Sequence, residues 1–149
     1  MAPTGGRPMM QALIVVGTPY PWQTPERSRW TTYKNPKLAT WQQLIVITAR
    51  AQSPRRLEGA VSLSTRVYVP RPPSHLRKDG KLKKGKPALP ISARTGDCTN
   101  HHKAIEDALK GIYWYDDSQV VEAYLYLRYA DGRDPGAIIT IESVEDPPF

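Results

Sequence analysis

Five carboxylates crowd the stretch from Thr95 to Val120, TGDCTNHHKAIEDALKGIYWYDDSQV: Asp97, Glu106, Asp107, Asp116 and Asp117. Elsewhere the chain is poor in acid, with 14 Asp and Glu against 21 Lys and Arg and a formal net charge of +7. Carboxylates gathered inside a basic protein suit a hard divalent cation held beside a polyanion. Such a metal takes oxygen ligands, and a phosphodiester needs positive charge around it. If their segment is extended, Asp97 and Thr99 share one face, roughly 7 Å apart. Lys103 lies four residues beyond Thr99, so one helical turn would carry it toward the same spot. Asp116 and Asp117 would return there from a helix-to-strand connection. Two acidic segments converging beside a lysine describe a metal site that activates water and stabilises phosphoryl charge. The plainer alternative is a set of capping acids and a solvated acidic turn.

Composition narrows the class. With 149 residues, the chain suits one domain, 1–149, with a modest core. A pI near 9.6 favours nucleic acid as the partner, with an anionic membrane surface as the alternative. No apolar run approaches the roughly 18 residues of a membrane span. The opening MAPTGGRPMM has no long apolar segment, so no secretory signal is expected. Cys98, the single cysteine, excludes an internal disulfide framework and fits a reducing cytoplasm.

The positioning elements follow from periodicity. Residues 1–10 read as a frayed, flexible tail, and Ala12–Val16 as a short strand closed by Gly17. From Thr18 to Asn35 the chain is rich in proline and aromatics, and Arg27 and Arg29 alternate with Trp22, Trp30 and Tyr33. Cations beside flat rings suit phosphates and exposed bases. Asn35-Pro36 starts a helix that runs to about Ala51, with Leu38, Trp41 and Ile45 on its core face. Ala60–Val69 alternates as a half-buried strand, with Val61, Leu63, Val67 and Val69 on one side.

The basic segment 70–96 carries Arg71, Arg77, Lys78, Lys81, Lys83, Lys84, Lys86 and Arg94 against one acid, Asp79. It buries little, so it should be mobile in the free protein and available to DNA. Thr99 or Asn100 is expected to cap a second helix, with Ile105, Ala108 and Leu109 inward, ending at Lys110-Gly111. A strand from Gln119 to Tyr129 sets Val121, Ala123, Leu125 and Leu127 against Glu122, Tyr124, Tyr126 and Arg128. Ala137–Val144 is the last strand. The order predicts an α/β (α+β) fold of about four strands and two helices.

Together these residues resemble the RusA family of Holliday junction resolvases, small endonucleases of bacteria and their phages. That family's motif is D-x-D-N-x-x-K, then D-A-L, then D-D-x-Q-V opening a strand. Here Asp97, Asn100 and Lys103 are followed by Asp107-Ala108-Leu109 and Asp116-Asp117-Ser118-Gln119-Val120. Gly17-Thr18-Pro19 with Arg27 and Arg29 is similar to the family's N-terminal loop. Pro70-Arg71-Pro72 and Arg77-Lys78-Asp79-Gly80 are similar to its basic loop, and Arg128-Tyr129 to its third strand.

The resemblance implies a Mg²⁺-dependent nuclease (Mn²⁺ being the substitute) that acts as a homodimer on branched DNA, the four-way junction, in recombination and repair. No membrane and no small-molecule cofactor are implied. The setting would be bacterial cytoplasm at the nucleoid, the gene carried by a bacterium or a phage. By position, Asp97 and Asp117 would be metal ligands and Lys103 a phosphate contact or transition-state stabiliser. Asn100 would cap the helix and orient the site, with Asp107 structural and Asp116 supporting the ligands from behind.

One departure matters. Thr99 stands where the family has its second Asp, which removes a charged ligand. Either the site is rebuilt from Asp107, Asp116 or a water held by Thr99, or catalysis is weakened. The second case gives the competing reading, a junction-binding homologue. Cys98, His101 and His102 lack the second ligand pair of a zinc site and read as a buried thiol and surface histidines. No RRM or KH signature supports an RNA-binding module.

Overall fold

A computed structural model describes residues 9–146. Of the expected tail 1–10, only Met9 and Met10 therefore lie within the described residues. Met10 already opens β1 (Met10–Val16), two residues before the expected start. Two short strands follow, β2 (Glu26–Arg27) and β3 (Thr32–Tyr33). Helix α1 (Pro36–Ala51) starts as the sequence reads, with the Asn35 side chain accepting from the Lys37 amide and Pro36 in the first turn. Then come β4 (Val61–Val69), α2 (Cys98–Leu109), β5 (Val120–Tyr129) and β6 (Gly136–Ser143).

The main sheet has the order β1-β6-β4-β5. β4 and β5 are parallel, joined by the long crossover that contains α2, while β6 runs antiparallel to both β1 and β4. The fold is thus the expected mixed four-stranded sheet with two helices. Both helices lie on one face, where Leu13, Val15, Leu63, Val67, Ile139 and Ile141 meet Trp41, Ile45, Ile105 and Leu109. Trp41 and Trp114 are fully buried, so truncating either to Ala should cost about 3–5 kcal/mol.

Among the described residues the opposite face of the sheet carries no helix, and Ile14, Val16 and Tyr124 are exposed. β5 departs from the expected alternation. Val121, Ala123, Glu122 and Tyr124 are all exposed, and only Leu127 and Tyr129 are fully buried. The cause is position: β5 is the sheet's edge strand, paired with β4 alone.

Candidate nucleic-acid and carboxylate site

Helix α2 begins two or three residues earlier than the sequence suggests, and its cap is Asp97 rather than Thr99 or Asn100. The Asn100 amide N–H donates to Asp97 Oδ1 at 2.7 Å, and the Asn100 side-chain amide donates to Oδ2 at 3.2 Å. An Asp satisfies an orphan amide of the first turn and sits favourably at the positive end of the helix dipole. Asn100 thus holds both oxygens of Asp97, but it does not cap the helix. Gly96 lets the chain enter: its φ is +76°, and a Cβ there would lie 2.6 Å from the Pro21 ring. Only glycine fits both demands.

Two neighbours of the cap correct the sequence reading. His101 and His102 are buried, not surface histidines. His102 Nδ1 pairs with Thr65 Oγ1 at 2.8 Å, and its Nε2 lies 3.5 Å from Glu106. His101 Nε2 meets the Thr95 carbonyl, while its Nδ1 is buried without a partner. Burial lowers the pKa of both rings. Cys98 is half-buried.

Asp97 lies on the wall of an open groove of about 1300 Å³. Tyr20, Trp22, Tyr124 and Tyr126 supply rings to its lining, and Lys37, Arg94 and Arg128 supply cations. Rings interleaved with cations beside a carboxylate suit a sugar-phosphate chain with accessible bases. Lys103 does not line the groove itself but packs on one of its rings. Its Nζ lies 3.6 Å from the centroid of the Trp22 ring, and the Trp22 amide N–H donates to the Asn100 carbonyl at 2.9 Å.

The remaining acids gather at the other end of α2. Asp117 Oδ2 is 3.6 Å from Lys110 Nζ, at the helix C-cap. Burial raises the Glu106 pKa, with further push from Asp117 and Asp107. Burial also raises Asp107, opposed by the ammonium of Lys103. Asp116 caps the short turn Asp117–Gln119 and accepts from the Ser118 amide at 2.9 Å, which lowers its pKa. Gln119 accepts the Asp116 and Tyr115 amides and donates to the Leu57 and Gly59 carbonyls. Its position in D-D-x-Q-V is the signal that could have marked this tie.

Within one chain, Asp97 caps the N-terminus of α2 and Asp117 lies beside Lys110 at its C-cap, at opposite ends of a 12-residue helix about 18 Å long. Thr99 is exposed in the first turn, with Asp97. No group of three or more His, Cys, Asp or Glu able to hold a metal ion forms among the described residues. A single chain does not by itself fit the divalent cation that the resemblance implies.

The cations divide by use. Lys78, Lys81, Lys83, Lys84, Lys86 and Arg94 are exposed, and Arg77 pairs with Asp79. Arg27 and Arg29 lie on the β2–β3 hairpin. Arg71 turns inward, its side chain only 6% exposed. It holds both oxygens of Asp131, donates to the Pro87 and Ala88 carbonyls, and lies 4.0 Å from the Tyr129 ring centroid. Its donors are thus committed to fixing segment 70–96 to the β5–β6 turn.

The fold and these surfaces define a basic α/β domain with a carboxylate on the wall of an aromatic, cation-lined groove. The profile of the family described as Endodeoxyribonuclease RusA matches residues 16–142, nearly the whole chain. The chain belongs to that family. It is also 29% identical, over 70% of its own length and 72% of the other's, to the uncharacterized protein YqaN of Bacillus subtilis (strain 168). No helix among the described residues is long and apolar enough to cross a membrane.

Proposed function

We propose that this chain is an endodeoxyribonuclease that cuts four-way DNA junctions as a homodimer and requires Mg²⁺, with Mn²⁺ able to substitute. Its place of action is the DNA of a bacterial cytoplasm, whether encoded by the bacterium or by a phage. One observation carries the reading: Asp97 and Asp117 stand at opposite ends of α2 beside an unpaired sheet edge.

β5 ends at Tyr129 near the groove that holds Asp97, and it begins at Val120 beside Asp117. An unpaired edge this long is a template for another strand. Antiparallel pairing with a second β5 would bring Asp97 of one protomer toward the partner's Asp117, twice, about a two-fold axis. A two-fold dimer also matches a substrate with two equivalent strands to cut. The divalent ion would supply charge for the reacting phosphate and an activated water. Lys103 and Arg128 would hold the DNA backbone beside Asp97.

Mixing two inactive variants tests this. Asp97→Asn and Asp117→Asn dimers should each fail to cut a labelled junction in Mg²⁺. After subunit exchange, each mixed dimer regains one intact site, so nicking should return. Mixed dimers that form and stay inactive would place both carboxylates in one chain's site. A second reading, junction binding with weakened catalysis, draws on the neutral Thr99. Tight junction binding by wild type without cleavage in Mg²⁺ or Mn²⁺ would favour it.

A further inference from the structure

The β2–β3 hairpin stands clear of the domain. Every residue from 23 to 34 is exposed, and Glu26 and Arg27 pair only with Tyr33 and Thr32. The tip is nonetheless built. The Ser28 amide donates to the Thr31 carbonyl at 2.7 Å, and the Thr31 amide donates to Ser28 Oγ at 3.1 Å. Tyr33 Oη ties off the one acid by donating to Glu26 Oε2 at 2.8 Å. What this tip presents is Trp30, 84% exposed, with the Arg29 guanidinium 5.1 Å from its ring centroid.

A tryptophan usually hides 150–250 Å² of surface, roughly, so one displayed on a hydrogen-bonded turn needs a partner face. The surrounding charge identifies it. Arg27, Arg29 and Lys34 leave the hairpin positive, which suits a polyanion and opposes a second copy of this basic chain. A flat ring between cations fits a nucleobase whose phosphates the cations hold. Paired duplex keeps its base faces stacked and offers only edges in the grooves. A branch point has base pairs with one face uncovered, and wedge side chains elsewhere exploit such open steps.

We propose that Trp30 is a stacking residue for an uncovered base at the DNA branch point, with Arg27 and Arg29 on the flanking phosphates. Through it the hairpin distinguishes branched from continuous DNA. This rests on the junction substrate proposed above.

The test compares wild type, Trp30→Ala and Trp30→Phe on a four-way junction carrying 2-aminopurine next to the branch, and on duplex of equal length. Wild type should change the 2-aminopurine emission on binding. Trp30→Ala should abolish that change and lower the ratio of junction to duplex affinity roughly 5- to 150-fold, the range for one stacked base. Its salt slope should be the same as wild type, because no charge is lost. Trp30→Phe should restore most of the ratio. An unchanged ratio, or a Trp30→Ala protein that loses its dimeric mass, overturns the inference, the latter by assigning Trp30 to a second copy. If wild type itself shows no preference for the junction, the proposed substrate fails together with it.

Discussion

Lys103 Nζ rests 3.6 Å from the centroid of the Trp22 ring, on the helical turn that follows Asp97 and Asn100. The same tryptophan donates its backbone N–H to the Asn100 carbonyl, so one residue sets both the cap region and the lysine. A partly exposed cation–π pair contributes about 0.5–1 kcal/mol. Lys103→Met keeps the aliphatic stem on the ring and removes only the charge. It should shift stability by less than about 1 kcal/mol and reduce junction cleavage at least about tenfold, the loss of one charged contact to phosphate. Thermal melts and single-turnover cleavage check the two halves. Unchanged cleavage would leave Lys103 as a packing residue.

Arg71 and Asp131 form the anchor of the basic segment. Lysine cannot reproduce the fork, so Arg71→Lys should recover little of what Arg71→Ala loses, about 1–3 kcal/mol after allowing for the half-exposed Asp131. The hydrogen bond from Arg71 lowers the Asp131 pKa. A lowered carboxylate stabilises the fold above its unfolded pKa and stops doing so as pH falls through the folded one. The stability gap between wild type and Asp131→Asn should therefore be full at neutral pH and close below about pH 4. A gap that persists at pH 2 would mean the ion pair is not its source.

Burial of His101 and His102 gives the mildly acidic range its own signature. Both rings have lowered pKa values because burial disfavours their charged forms. The unfolded chain therefore binds protons first, and stability should fall as pH drops below about 6.5. Replacing His102 with Gln keeps a partner for Thr65 and should flatten the slope between pH 7 and 5, read from melts. An equal slope in the variant would mean that Glu106, 3.5 Å away, already compensates the charge.

Much of this architecture was legible. Asn35-Pro36 and the α1 stripe mark their helix by cap chemistry, and β4 alternates because one of its faces is packed into the core and the other is not. Tertiary position was not legible. Val121 alternates like a buried residue yet is 58% exposed, since no periodicity reports that a strand lies at an edge. The β2–β3 hairpin was hidden because two-residue strands have no period to detect. Asp97 and Asp117 looked convergent because spacing in sequence does not say that a straight helix will hold them apart. Arg71 counted as a DNA cation like its neighbours, and only the fold reveals Asp131 waiting for it.

The exposed lysines of segment 70–96 should supply non-specific affinity. Replacing Lys81, Lys83, Lys84 and Lys86 with Ala removes up to four phosphate contacts. The slope of log affinity against log salt should flatten by about one unit per contact. Arg71→Ala should also weaken binding, but by releasing the segment, and its slope should change less. Filter binding at several salt concentrations separates the two. If the quadruple variant keeps both slope and affinity, these lysines only solubilise the protein.

Thr99 carries the sharpest consequence. It is exposed in the first turn of α2, two residues after the capping Asp97. Thr99→Asp would place a hard oxygen ligand there. Two effects oppose each other in the metal-free protein. The new charge repels Asp97, but a first-turn acid gains about 0.3–1 kcal/mol from the helix N-terminus. The two are of similar size, so melting without metal should shift by only a few degrees. Adding Mg²⁺ should then raise the melting temperature more than in wild type, since a ligand that binds the folded state stabilises it by linkage. Cleavage should also begin at lower Mg²⁺. In the dimer proposed here, the gain requires the partner's Asp117, so Thr99→Asp combined with Asp117→Asn should lose it. If Thr99→Asp leaves both the Mg²⁺ dependence of melting and cleavage at low metal unchanged, Thr99 does not face the ion. The acids near the other end of α2, Glu106, Asp107 and Asp117, would then be the place to look for it.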